Sequence, residues 1–585
     1  MSVEEGRGAP RETAVAAALG LGLLTLYWLG RSHSYGPGDS PQHVMCGLLW
    51  GVPHPPGYPL QTALAWGWSH LGWAEPAAAI NGLSGLLHAA AASVFFLLLR
   101  RAGCRSSAAL AGAALMALSP LFWFYSLVAE VRALNDLLAL LSALFALDWA
   151  RRGREKSLHA FALCFGLGLS HHPTFVLLAP AYAVWILGRR PSAREAALCA
   201  GLAATGLAVP YVLLGLRLTH STPSYDLFEV RGWKDLPSLF LRSGLGGPLR
   251  MVAGNAGGPA AGSAGQQLGW LLDSIWTHAG PGAIALGAGG ALSLWRRGRR
   301  ELLGWTLWGV VSAGAVMAFA AGQMPVYDEF YVRAVLARFH LLPMIALFVL
   351  AGHGAEALAR SVRPIFPIVL AVCLFVFPVA LRPLSLAHEN PLLDYVRSWL
   401  RDSSPGDIIV LGSDDTIFAA WELELVRKES GGRVFLIPTM FAFPPYLRSL
   451  KSRYPALVLP PLGAQGLPTD WAVWEKLNTG RAVLLEPSLL DAVRSDFPRC
   501  QPQGGLVRVE TARVKSDAGA QARRFLQAPE TTQVTRWSVR PWTQEVYVLR
   551  SRRRMAEWLL SRLDASKNSS ETRHLRALLR DLELR

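Results

Sequence analysis

Long apolar stretches joined by short polar junctions fill the first two thirds of the chain, and the pattern then changes. Residues 14–30, 77–99, 107–125, 131–150, 158–170, 174–187, 196–216, 271–295, 302–321, 335–355 and 365–381 are nearly all apolar. A bilayer core takes roughly 20 such residues per helix, so the pattern predicts about eleven spans. The fifth and sixth are short and share a polar junction at His171-His172-Pro173, where two spans would meet at a membrane surface. Residues 1–13 are polar and expected to be disordered. The 14–30 segment lacks a small-residue cleavage site, so it reads as a retained first span rather than a signal peptide.

Beyond residue 383 the apolar runs shorten to strand length. The runs at 407–411 (DIIVL), 434–437 (VFLI) and 482–485 (AVLL) predict strands, with helices at 392–401 and 417–427 and charged amphipathic helices in 552–585. The Gly412-Ser413-Asp414-Asp415 turn between the first strand and its helix offers carboxylates for a metal or sugar. The simpler reading is a helix start capped by Asp. The organisation expected is a disordered 1–13, a transmembrane domain at 14–382, and a soluble α/β domain at 383–585.

Composition sharpens this picture. The chain is 52% hydrophobic and 17% charged, against about 25% charged in ordinary soluble domains. The net charge of +16 does not argue for nucleic acid, because the basic clusters sit at the ends of apolar segments. Arg100-Arg101, Arg151-Arg152, Arg189-Arg190, Arg296-Arg297 and Arg360 with Arg363 mark cytoplasmic ends by the positive-inside rule. That map is consistent only if 58–73, punctuated by Trp66, Trp68, His70 and Trp73, does not cross. The N-terminus is then inside. Residues 31–76, 217–270 and 322–334 form outer loops, and everything after about 382 is extracytoplasmic. In the 217–270 loop the first half reads as ordered and the Gly-rich 243–266 as mobile. The richness in Ala, Gly, Arg and Leu points to a bacterial source, and so to the inner membrane. No group of His, Cys, Asp and Glu has metal-ligand spacing. No cofactor is expected, and a divalent ion is left open.

The candidate chemistry gathers on that outer face. Asp39, His43, His54, Glu130, Arg132, His171, His172, Asp328, Glu329, Arg333 and Arg338 all fall on or near it. Ionisable residues at membrane depth are costly and mark function by default; the competing reading is boundary charges in water, with Arg132 as the partner of Glu130. Residues 35–59 (YGPGDSPQHVMCGLLWGVPHPPGYP) carry six prolines, which fix φ and remove donors. They read as a stiff, shaped loop rather than a helix, able to hold Asp39 in place for proton transfer.

Several motifs together resemble a known family. They are Gly38-Asp39-Ser40 after the first span, His54-Pro55-Pro56-Gly57-Tyr58-Pro59-Leu60, Ala129-Glu130-Val131 followed by Ala133-Leu134-Asn135, and Leu169-Ser170-His171-His172. They are similar to the bacterial multispanning proteins of the glycosyltransferase-C (GT-C) superfamily that are relatives of the eukaryotic transmembrane O-mannosyltransferase. The likeness covers roughly residues 12–240. It departs at Arg132, where an aromatic is common, and at Pro41-Gln42, where an acidic residue often lies nearby. The fold class implied is an α-helical polytopic GT-C-like membrane protein with a C-terminal soluble α/β domain. The resemblance implies an inverting transfer of a sugar, a hexose such as mannose, from a polyprenyl-phosphate carrier to a protein or envelope-glycan acceptor. Asp39 would be the general base. His54, Tyr58, Glu130, Arg132, His171, His172, Arg333 and Arg338 would bind substrate or the leaving phosphate. A transporter would show internal repeats and midplane charges, and the chain has no such repeat. A non-catalytic membrane scaffold with a partner-binding tail is the remaining alternative.

Overall fold

The computed structural model describes residues 4–33, 35, 36, 38–72, 75–243, 263–323, 333, 336–360, 391–441, 443–463, 468–510, 517–527, 545–563 and 569–583. The chain divides into two compact units. One comprises Met1–His33, Val52–Pro223 and Val230–Glu389. The other comprises Ser34–Gly51, Ser224–Glu229 and Asn390–Arg585. The second is therefore assembled from three stretches of sequence. The predicted span at 365–381, the Gly-rich part of the 217–270 loop from 244 to 262, and Asp328 and Glu329 lie outside the described residues.

In chain order the helices are α1 (Glu4–Gly30), α2 (Ser40–Leu49), α3 (Pro59–Ser69), α4 (Pro76–Arg101), α5 (Ser106–Ala117), α6 (Pro120–Leu127), α7 (Arg132–Arg152), α8 (Glu155–His171), α9 (Ala179–Ile186), α10 (Ala193–His220), α11 (Leu236–Phe240), α12 (Ala264–Arg297), α13 (Arg299–Gln323) and α14 (Leu341–Ala359). All but α2 belong to the first unit. Among the described residues six helices are long and apolar enough to cross a membrane, or seven if the bent pair α5–α6 is one span. The chain is a multi-pass membrane protein. The predicted span at 107–125 is broken by 64°, because Pro120 has no N–H to continue α5 and instead opens α6. His172 and Pro173 likewise end α8, and a 3-10 turn at Pro173–Leu178 leads into the short α9.

Small residues let these helices touch backbone to backbone, as apolar helices in lipid must. A Cβ on Gly290 of α12 would fall 1.8 Å from the Leu350 carbonyl oxygen, and one on Gly354 of α14 would fall 1.9 Å from that of Leu286. Gly354→Leu is therefore expected to lower stability by about 1–3 kcal/mol through overpacking. A thermal melt in detergent checks this, and an unchanged midpoint would mean the helices do not meet there. Near the basic clusters, buried carboxylates provide the counter-charge. Asp148 faces Arg152 at 3.3 Å and Arg101 at 3.7 Å. Glu301 bonds Arg151 and lies 3.2 Å from His353.

The second unit is built on a five-stranded sheet in the order β2-β1-β3-β5-β4. Its strands are β1 (Ile408–Val410), β2 (Val434–Leu436), β3 (Val483–Leu485), β4 (Cys500–Gln503) and β5 (Leu506–Val509). The three predicted strands are its parallel part, and each is buried along its whole length, as short unbroken apolar runs require. The antiparallel pair β4–β5 has no alternating apolar pattern, but it turns on Gly504 at φ +60°. The preceding helix is α15 (Pro391–Asp402), and α16 (Asp414–Glu422) follows β1. Ser413, not an Asp, caps α16, with its hydroxyl accepting from the Thr416 N–H. Glu486, buried after β3, accepts from the Gly412 N–H at 2.8 Å and from the Thr416 and Ser551 hydroxyls at 3.1 and 3.0 Å. It ties the turn to the sheet.

Two sequence expectations are overturned, the first being a disordered 1–13, since α1 starts at Glu4. Residues 35–59 are not a loop throughout, because α2 occupies Ser40–Leu49. Its proline sits in the first turn, where a missing N–H costs nothing. The next is Pro53, beyond the helix end.

Candidate functional site

The residues of interest in the first unit meet where α6 breaks before α7. Val128–Val131 is non-helical, and Glu130 at its centre is 1% exposed. Asn81 on α4 holds the break. Its Oδ1 accepts from the Ala129 N–H at 2.6 Å, and its amide donates to the Ser32 carbonyl at 2.8 Å. The Ser32 N–H in turn donates to the Leu127 carbonyl at 3.0 Å. One buried amide thus fixes both the end of α1 and the strand-like link that carries Glu130.

Glu130 pairs with Arg338, whose Nη1 donates to Oε1 at 2.9 Å, and its own Oε2 accepts from the Val131 N–H at 3.1 Å. The expected partner, Arg132, takes a different place. Its guanidinium lies 4.3 Å from the centre of the Phe339 ring, and that of Arg338 lies 5.3 Å from the same ring. Arg132 is the first residue of α7, while Arg338 reaches Glu130 from the turn that opens α14. Each guanidinium is attracted to the π-electrons of the Phe339 ring.

The His54–Tyr58 run closes on the same place. Gly57 at φ +86° and Tyr58 at φ +41° turn the chain into α3, whose first residue is Pro59. The Pro55–Pro56 bond is cis. Tyr58 Oη lies 3.2 Å from His54 Nε2, and its ring packs 5.9 Å from the rings of both His171 and His172. His171 Nε2 donates to the Val131 carbonyl at 2.8 Å, so it clamps the link beside Glu130. Arg242 donates to the Pro55 carbonyl at 2.6 Å and the Tyr211 hydroxyl to that of Pro56 at 2.8 Å.

His172 has a defined protonation state. Its Nδ1 accepts from the Thr174 N–H at 3.3 Å and lies 2.6 Å from the Thr174 hydroxyl. A neutral ring must therefore carry its proton on Nε2. Burial, and then the nearby Arg132, hold its pKa well below the usual histidine value. In the folded chain His172 stays neutral at pH values where an unfolded chain would bind a proton. Stability is thus fully present above about pH 6.5 and is lost as pH falls from there toward the depressed value, by at most about 1.4 kcal/mol per pH unit from this group. Melts at pH 7.5 and 5.5 should differ by less in His172→Gln than in wild type, and equal differences would place the acid sensitivity elsewhere.

Of the residues singled out in the sequence, His54, Tyr58, Glu130, Arg132, His171, His172 and Arg338 are brought together. Arg333 bonds Asp273 of α12 instead. Asp39 and His43 belong to the second unit, where Asp39 is half-buried at the N-terminus of α2 and its carbonyl accepts the His43 N–H at 3.0 Å. Asn81, Arg242 and Phe339 were missed. Asn81 carried a signal, a polar residue within an apolar helix; Arg242 and Phe339 carried none. The cluster holds three guanidinia, a neutral imidazole donor and one carboxylate. Such a set suits an anion with several oxygen acceptors.

Comparison with known proteins follows this geometry. Residues 39–195 match the protein O-mannosyl-transferase TMEM260 N-terminal domain. That stretch contains every cluster residue from His54 to His172. The chain is 26% identical over 428 residues to Protein O-mannosyl-transferase TMEM260 of Mus musculus, covering 69% of this chain and 60% of that protein. It is 25% identical over 191 residues to the Dictyostelium discoideum protein of the same name, covering 30% and 23%. ArnT from Cupriavidus metallidurans bound to undecaprenyl phosphate superposes with a TM-score of 0.53 at 12% identity, covering 85% of this chain and 98% of ArnT. Its apo state gives 0.51 at 13% identity, covering 86% and 98%. The chain is thus similar in sequence to the O-mannosyltransferase TMEM260 proteins and similar in fold to ArnT. It spans 60% and 23% of the lengths of the two relatives, and its likeness to ArnT is one of fold.

Proposed function

We propose that the chain is an integral-membrane glycosyltransferase that moves a sugar from a polyprenyl-phosphate carrier to a protein or envelope-glycan acceptor. The sugar is a hexose such as mannose. Transfer takes place on the outer face of a bacterial inner membrane, where the C-terminal α/β domain also lies. The observation that carries this reading is one cluster that holds the buried Arg338–Glu130 pair, Arg132 on the Phe339 ring and a buried His172 within the field of Arg132 and Arg242, in a chain related to O-mannosyltransferases.

The chemistry is a single displacement. The acceptor hydroxyl attacks the anomeric carbon, and its proton passes to Asp39. The bond from that carbon to the phosphate oxygen breaks, its electron pair leaves with the lipid phosphate, and the configuration inverts. Guanidinia and the His172 Nε2–H stabilise the charge that develops on the departing oxygen. Glu130 holds Arg338 in place, His171 fixes the link that carries Glu130, and His54 and Tyr58 orient the sugar.

Purified protein in detergent, given radiolabelled polyprenyl-phosphate hexoses and a membrane-extract acceptor, tests the reading. Label is expected to move to the acceptor. No transfer from any donor would return the chain to the scaffold class.

A further inference from the structure

The C-terminal unit contains two buried carboxylates aimed at a segment far away in sequence. Asp415 and Glu422 lie seven positions apart on α16, hence on one face, and are 1% and 0% exposed. Burial of carboxylates is costly unless they are hydrogen-bonded. Asp415 Oδ1 accepts from the Gly38 N–H, and Glu422 Oε2 accepts from the Tyr35 hydroxyl and, at 3.0 Å, from Arg427 Nε. Both bonds fall within four residues of Asp39. Around them the segment is braced on itself and on Ser224–Glu229. The Gly36 N–H donates to Ser40 Oγ at 2.8 Å, and the Gln42 amide donates to the Tyr225 hydroxyl at 2.7 Å. The Tyr225 ring packs 5.9 Å from that of Trp421 on α16.

Resting on the transferase reading above, we infer that Asp415 and Glu422 are positioning residues: α16 of the C-terminal unit sets the conformation of the segment that presents Asp39. The backbone amide one residue before Asp39 is anchored by a charge-assisted bond. Gly38 at φ +71° allows the turn that this bond requires. Two turns further along the helix Tyr35 is pinned in the same way. The α/β unit is part of the apparatus that aims the base.

The test compares Asp415→Ala, Asp415→Asn and Glu422→Gln with wild type in two measurements on the full-length protein. The first is hydrogen exchange of peptides spanning residues 35–50, with peptides from β1 and β3 as the folding control. The second is transfer kinetics with polyprenyl-phosphate hexose. Exchange at 35–50 should rise in Asp415→Ala while the strands stay protected. A base displaced by about 1 Å loses on the order of 10²-fold, so kcat should fall about 10- to 100-fold with KM for the lipid donor nearly unchanged. Asp415→Asn keeps an acceptor oxygen and should retain more of both. Unchanged exchange at 35–50 in Asp415→Ala and Glu422→Gln overturns the inference, as does faster exchange with kcat within about 2-fold of wild type. If wild type transfers no sugar, the transferase reading fails, and the exchange data alone then uphold or overturn the hold on the segment.

Discussion

Asp39→Asn is expected to abolish measurable sugar transfer, with a loss on the order of 10³-fold. General-base catalysis supplies about 10²–10⁴-fold, and an amide of the same size cannot take a proton at neutral pH. The replacement leaves the backbone of the α2 N-terminus intact, since the bond to His43 uses the Asp39 carbonyl. A thermal melt run beside the assay separates lost chemistry from lost fold. Full activity in Asp39→Asn combined with its loss in Glu130→Gln would transfer the role of base to Glu130.

Arg338→Ala should be the most damaging single change in the first unit. The Glu130 side chain is 2% exposed and that of Arg338 is 14% exposed. Removing the cation leaves a buried carboxylate without its ion-pair partner, which typically costs about 3–5 kcal/mol. Glu130→Gln/Arg338→Met removes both charges at similar volume and should recover most of that stability, because an apolar replacement of a whole buried pair is often neutral. Transfer should remain lost in the double variant, since the leaving phosphate is deprived of a guanidinium. Recovery of turnover there would make the pair structural only. Arg338→Lys keeps the charge but not the planar fork, so it should fall between the two.

The chemistry-bearing residues were more legible in the sequence than the contacts among them. A carboxylate and two histidines at the ends of apolar segments stand out because lipid excludes them unless they are partnered. His54, Tyr58, Glu130, His171 and His172 were therefore visible before any coordinate. The partner of Glu130 was not, because proximity in sequence favoured Arg132 while the start of a distant helix supplied Arg338. Residues 35–59 misled for a related reason. The number of prolines argues for a loop, whereas only their positions matter, and ten residues with one proline in the first turn form α2. In the tail, the parallel strands were readable as buried apolar runs. The β4–β5 hairpin was hidden because CQPQ offers no apolar alternation.

The ties that bind Tyr35 and Gly38 to α16 span 387 and 377 residues of chain. A ribosome adding about 5–20 residues per second takes roughly 20–80 s to travel that distance. During that interval the newborn N-terminal segment has been made and its anchors have not. A product cut short before Asp415 can never acquire them, however well its apolar helices insert. The anchors of the N-terminal segment can therefore form only once the last third of the polypeptide has begun to be made.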